Sequence, residues 1–166
     1  ELNRHRDWVR AILFSPAGDS IATAGADGMV YLWDRMIDSP QMPALQRPNP
    51  LNALAYTPDG QYLVVVGFRC ELLLFEISSR QIHDTWPCPC LDMRSVAVSP
   101  NNKWIAAGGR NGIVRVWDRE THRKLIDIAA HKQRIRTVLF DATGERLMTA
   151  GEDRMIYTFD LRSGKQ

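Results

Sequence analysis

His5, Thr23 and Asp27 place an imidazole, a hydroxyl and a carboxylate near the start of the chain, and the same three types return as His131, Thr149 and Asp153 near its end. Such a set can activate a nucleophile, the acid orienting the base and the base taking the hydroxyl proton. The surroundings of Thr23 argue against that chemistry. It lies within a strand-like run, SIATAGA, that lacks the pair of glycines flanking an elbow nucleophile. Cys70, Cys88 and Cys90 with His83 form the other set of reactive types, those that hold zinc. The stretch WPCPC separates two thiols by a single proline, which is not a zinc-knuckle spacing, and we read the three as free thiols. GGRNG at 108–112 lacks the Lys-Ser/Thr that would follow a phosphate-cradling loop and reads as a turn. No two histidines share a helix-face spacing. The expectation is a chain with no catalytic residue, no metal and no cofactor.

The elements that position these residues are set by a repeat. Trp33-Asp34, Phe75-Glu76, Trp117-Asp118 and Phe159-Asp160 follow one another at steps of 42 residues. The same step links Pro16, Pro58, Pro100 and Ala142, and it links Gly25, Gly67, Gly109 and Gly151. No insertion separates the copies. The first and last also share Arg10/Arg136, Leu13/Leu139 and Phe14/Phe140, while most other positions differ, so the pattern is diverged duplication.

Each period reads as short antiparallel strands. In the first, WVRAILFS meets the turn PAGD, then SIATAGA, a tight turn at Asp27-Gly28, and MVYLWD. The second gives LNALAYT, YLVVVGF, ELLLFEI and QIHDTW, and KLIDIAA at 124–130 supplies a fourth strand to the third. No segment carries sustained helical periodicity. The fold class is all-β.

Composition is that of an ordinary folded domain: 45% hydrophobic, 24% charged, formal net charge +2. That balance carries no global signal for nucleic acid or a membrane surface. No apolar run spans a bilayer, and the amino terminus lacks a signal-peptide pattern. Three cysteines cannot all pair within one chain, which points to a reducing compartment and a cytoplasmic location. The absence of an initial Met suggests an excerpt of a longer protein or a processed chain.

These marks together resemble the WD-repeat β-propellers. The stretch from His5 through FSP, IATAGADG and VYLWD follows that family's pattern nearly end to end, and the likeness runs from His5 to Leu161. It implies four-stranded blades as a single segment over 1–166, with repeats near 5–46, 47–88, 89–130 and 131–166. It also implies a buried tetrad in which His5, Thr23, Asp27 and Trp33 hydrogen-bond to one another, so that Trp33 is an anchor and Asp34 begins the exit turn. His131, Thr149 and Asp153 repeat the tetrad, with Phe159 lacking the donor. The third repeat keeps Trp117 but has Pro89, Ala107 and Asn111, and the second has Arg47, Val65, Arg69 and Phe75, so that blade must rest on apolar packing. The first and fourth repeats are expected to be locally firmer.

By the same likeness, partners bind where the loops and strand ends of successive blades converge. The positions concerned are Trp8, Arg10 and Ala26; Pro50, Asn52 and Phe68; Asp92, Arg94 and Arg110; and Arg134, Arg136 and Glu152. Arginines and aromatic residues are the usual interface anchors. Arginine forks suit carboxylates and phosphates, so a protein or peptide with an acidic or phosphorylated segment is the expected partner, and RNA or DNA the weaker one. The function implied is a non-catalytic scaffold or sensor module. Its alternatives are a purely structural half-ring and, less favoured, an enzyme on a propeller face. After MIYTFDL only RSGKQ remains, so the last blade is predicted to lack its outer strand. Four blades are fewer than the roughly seven or eight of a full ring. Either further blades of a parent chain or self-association of two half-rings would cover the open ends.

Overall fold

The computed structural model describes residues 3–34, 42–69, 71–88 and 92–162, which hold fifteen strands and no helix. The first sheet runs in chain order through β1 (Val9–Phe14), β2 (Ser20–Gly25), β3 (Met29–Asp34) and β4 (Leu45–Gln46). The second contains β5 (Leu51–Tyr56), β6 (Tyr62–Gly67), β7 (Glu71–Glu76) and β8 (Gln81–Pro87). The third contains β9 (Met93–Val98), β10 (Trp104–Gly109), β11 (Ile113–Asp118) and β12 (Lys124–Ala129). The fourth has β13 (Ile135–Phe140), β14 (Arg146–Gly151) and β15 (Ile156–Asp160), three strands among the described residues. All neighbouring strands are antiparallel, and the four sheets stand side by side as propeller blades.

Local chemistry explains the turns. Between β1 and β2 the amide of Gly18 donates to the Ser15 carbonyl at 2.9 Å, and Ser15 and Ser20 close the hairpin. At the β2–β3 turn Gly28 has φ +76°, and a methyl group there would meet the Arg47 carbonyl oxygen at 2.1 Å. Only glycine satisfies both constraints.

Alternation along the strands gives each blade two apolar faces, and the core is divided into three seams. Ala22, Ala24 and Val30 of the first blade pack on Leu54, Leu63, Val65 and Phe75 of the second. Val64, Val66, Leu72 and Leu74 then meet Val96, Ile105 and Trp117 of the third. Ala106, Val114 and Val116 meet Val138, Leu147 and Phe159 of the fourth. Each fully buried Val, Leu, Ile or Phe among these contributes roughly 1.5–3 kcal/mol. The second blade is held as expected, with Leu63, Val65 and Phe75 buried where the first has Ile21, Thr23 and Trp33. Arg47 pairs with Glu71 at 2.7 Å at its edge. The third blade carries a surprise. Arg115 occupies the register of Tyr31 and Tyr157 and is buried, with its nearest carboxylate, Asp127, 3.8 Å away. No helix among the described residues is long and apolar enough to cross a membrane.

Candidate functional site

The His–Thr–Asp sets are geometric networks. In the first blade His5 Nδ1–H donates to Asp27 at 3.0–3.1 Å, while Thr23 Oγ1–H donates to His5 Nε2 at 2.8 Å. Trp33 Nε1–H donates to the same Thr23 oxygen at 2.9 Å. Because a carboxylate only accepts, the ring nitrogen facing Asp27, Nδ1, carries a proton. In the fourth blade His131 bridges Asp153 and Thr149, both at 2.8 Å, and Phe159 stands where the indole would be. Burial pushes the Asp27 carboxyl up, but the Arg6 and Met29 amides and the His5 ring outweigh it and hold it below the ordinary carboxylate value. Asp153 is held low in the same way, burial being opposed by His131 and the amides of Met155 and Lys132. Thr23 is buried and committed to two partners, so a substrate carbonyl has no approach to its hydroxyl in this arrangement.

The repeated glycine of the sequence pattern has its reason here. A methyl group at Gly25 would lie 2.7 Å from both His5 Nδ1 and Asp27 Oδ1, and at Gly151 it would lie 2.5 Å from His131 Nδ1. At Gly67 and Gly109 it would strike the carbonyl oxygens of Pro50 and Asp92 at 2.3 and 2.0 Å. Close packing of β2-type strand ends against the incoming chain is therefore common to all four blades.

That packing builds the loop face. In every blade the residue before the tetrad-acid position donates its amide to the carbonyl of the residue entering the inner strand: Ala26 to Trp8, Phe68 to Pro50, Arg110 to Asp92 and Glu152 to Arg134, all at 2.8–2.9 Å. Two residues further along, each inner strand is bulged. The register jumps between Val9 and Ala11, between Leu51 and Ala53, opposite Gly108/Gly109, and between Ile135 and Thr137. The extra residues are Arg10, Asn52, Arg94 and Arg136. A bulge bends the strand and re-aims its side chain, so one register column of the propeller presents three arginines and an asparagine.

Side chains link this column across blades. Arg10 donates to Asn52 Oδ1 at 2.5 Å, and Asn52 Nδ2 donates to Asp92 Oδ1 at 2.8 Å and to the Met93 carbonyl at 2.7 Å. Arg94 clamps the other oxygen of buried Asp92 through Nε and a terminal nitrogen, at 2.8 and 2.7 Å. In the fourth blade Glu152 takes Arg136 at 2.5 Å and Arg134 at 3.5 Å. Five arginines thus face two carboxylates, leaving an excess of positive charge. Arg110 has no side-chain partner among the described residues, and Arg134 keeps a buried Nε–H without an acceptor. Trp8 and Phe68 are exposed beside them, with Phe68 bridged to Asp92 across the second and third blades. The cleft under Phe68 is water-sized, about 30 Å³.

Sequence reasoning named these residues but not their bulges, nor the Arg10–Asn52–Asp92–Arg94 ladder; the 42-residue recurrence of position 10 was the available signal. It also missed an outer groove between the second and third blades. There His122 meets Asp84 at 2.5 Å, Trp86 Nε1–H donates to the same Asp84 oxygen, and His83 packs against Tyr62 with the rings tilted by 56°. Cys88 is buried in the seam between these blades, while Cys70, Cys90 and Pro89 lie outside the described residues. Among the described residues no group of three or more His, Cys, Asp or Glu is gathered as a metal-ligand set.

The family model described as WD domain, G-beta repeat matches residues 1–34, 82–118 and 123–160, leaving out most of the second blade, whose tetrad positions depart furthest. The chain is 28% identical over 118 residues to the UBP9-binding protein bun62 of Schizosaccharomyces pombe, covering 68% of this chain and 22% of that protein. It is 27% identical over 171 residues to Protein groucho of Drosophila melanogaster, covering 98% and 23%. It is 26% identical over 165 residues to Apoptotic protease-activating factor 1 of Mus musculus, covering 96% and 12%. The chain therefore spans less than a quarter of the length of each of these relatives.

Proposed function

The chain belongs to the family described as WD domain, G-beta repeat, and on that premise we propose that it is a protein-interaction module whose loop face binds acidic or phosphorylated peptide segments of a partner protein. The observation that carries this reading is the bulged column of Arg10, Arg94 and Arg136, with Arg110 beside it. Its guanidinium groups are oriented by Asn52, Asp92 and Glu152, so less rotamer freedom is lost when a ligand arrives. Exposed Trp8 and Phe68 supply apolar anchors next to that charge. The name of one relative, a UBP9-binding protein, describes protein binding.

Fluorescence anisotropy with a labelled hexaglutamate peptide, and with a phosphoserine peptide of equal length, tests this. Arg110→Glu with Arg136→Glu should weaken capture at least about tenfold and flatten its salt dependence, since exposed charge pairs are screened. Both residues are exposed, so the circular dichroism spectrum should not change. Capture that persists with the same salt slope would remove the arginine face as the binding surface.

A further inference from the structure

Phe68, Asp92 and Arg110 follow one another across the loop face, joined through their backbones. Phe68 of the second blade is bridged to Asp92 at the entry to the third, and the Asp92 carbonyl takes the amide of Arg110 at 2.9 Å. Among the described residues no other bridge of this kind joins two blades. Asp92 is buried, and its two carboxylate oxygens are held by Asn52 and Arg94, so it does not draw Arg110. Arg110 is exposed and has no side-chain partner among the described residues, while Phe68 is 41% exposed. The other arginines of the face differ: Arg10 is tied to Asn52, Arg94 to Asp92, and Arg134 and Arg136 to Glu152. An apolar ring and an uncommitted cation are thus left on either side of a filled position.

Two backbone pairings of about 4.8 Å each put Phe68 and Arg110 about 10 Å apart. A peptide in the polyproline II conformation has three residues per turn and rises about 3.1 Å per residue, so its residues i and i+3 lie on one side about 9 Å apart. A β-extended peptide does not match, because its same-side residues fall about 7 or 13 Å apart. We propose that the loop face reads a phosphopeptide in the polyproline II conformation through two side chains three residues apart, a phosphoserine on Arg110 and a bulky apolar side chain on Phe68. This rests on the peptide-binding reading above and narrows it from acidic segments in general to one pair of side chains at one spacing. Phosphate is favoured over carboxylate on chemical grounds. A carboxylate on one exposed arginine makes an ordinary surface pair, which contributes little, whereas a phosphate brings nearly two charges and three acceptor oxygens to the guanidinium fork.

Fluorescence anisotropy on the wild-type chain tests this with labelled alanine–proline peptides that carry one phosphoserine and one leucine. With the leucine three residues before or after the phosphoserine, one of the two orders should bind at least about fivefold tighter than peptides with a separation of one or five residues, or with no leucine. Replacing the phosphoserine by glutamate in the best peptide should weaken it about tenfold. Phe68→Ala should abolish the leucine advantage and keep the preference for phosphate. Arg110→Gln should abolish the preference for phosphate over glutamate and keep the leucine advantage. Capture of phosphoserine and hexaglutamate peptides without a spacing preference, glutamate binding as tightly as phosphoserine, or a leucine advantage that survives Phe68→Ala would each overturn this proposal and leave the peptide-binding reading in place. No capture of any anionic peptide would overturn both.

Discussion

Asp27 and Asn111 occupy the same position in different repeats and have different surroundings. Asp27 accepts hydrogen bonds from His5 and from the Arg6 and Met29 amides, whereas Asn111 accepts one long bond from Ile113 on the surface. Removing a buried acceptor strands its donors, which costs about 1–3 kcal/mol, while an exposed substitution stays within about 0.5 kcal/mol. Asp27→Ala should therefore lower the denaturation midpoint clearly more than Asn111→Ala, and equal shifts in two folded variants would contradict the network. The same residues set an acid limit. Asp27 and Asp153 have folded-state values below their unfolded ones, so their stabilisation is present above the unfolded value, near roughly pH 4, and is lost as pH falls through the lower folded value. Thermal melts should be flat with respect to these groups above about pH 5 and fall steadily below pH 4. In Asp27→Asn part of that acid slope should disappear.

At the scale of elements, the bulged inner strand does the positioning. Asn52 ties the first three blades together by accepting from Arg10 and donating to Asp92 and the Met93 carbonyl. Asn52→Leu leaves the buried Asp92 carboxylate one donor short, and we expect a loss of about 1–3 kcal/mol with faster amide exchange in β5 and β9. Unchanged exchange in both strands would show that the ladder carries no coupling. The strands themselves were legible because each alternates within a fixed period: MVYLWD is β3 from end to end, and QIHDTW and KLIDIAA fall on β8 and β12. The bulges were not legible. A bulge is a property of register between two strands, and neither VRAILF nor IRTVLF differs in composition from an unbulged strand. Nor did the sequence reveal that Arg115 would be buried in a tyrosine's place, because a strand arginine ordinarily reads as solvent-facing. The His122–Asp84–Trp86 cluster was hidden for a similar reason: its members come from two repeats and meet only once the second and third blades are packed.

For the whole molecule, four blades in a row produce one continuous arginine-lined edge. The edge gathers positive charge through a register column that recurs every 42 residues, although the net charge of the chain is only +2. On the proposed reading, a peptide bound there would meet that local field and not the global charge. The most direct test of that claim is to locate the ligand. In amide chemical-shift mapping with a phosphoserine-containing acidic peptide, shifts should concentrate on Trp8, Arg10, Phe68, Arg94, Arg110 and Arg136 and diminish as salt is raised. Shifts confined to the outer strands β8 and β12, or no shifts at saturating peptide, would contradict the account.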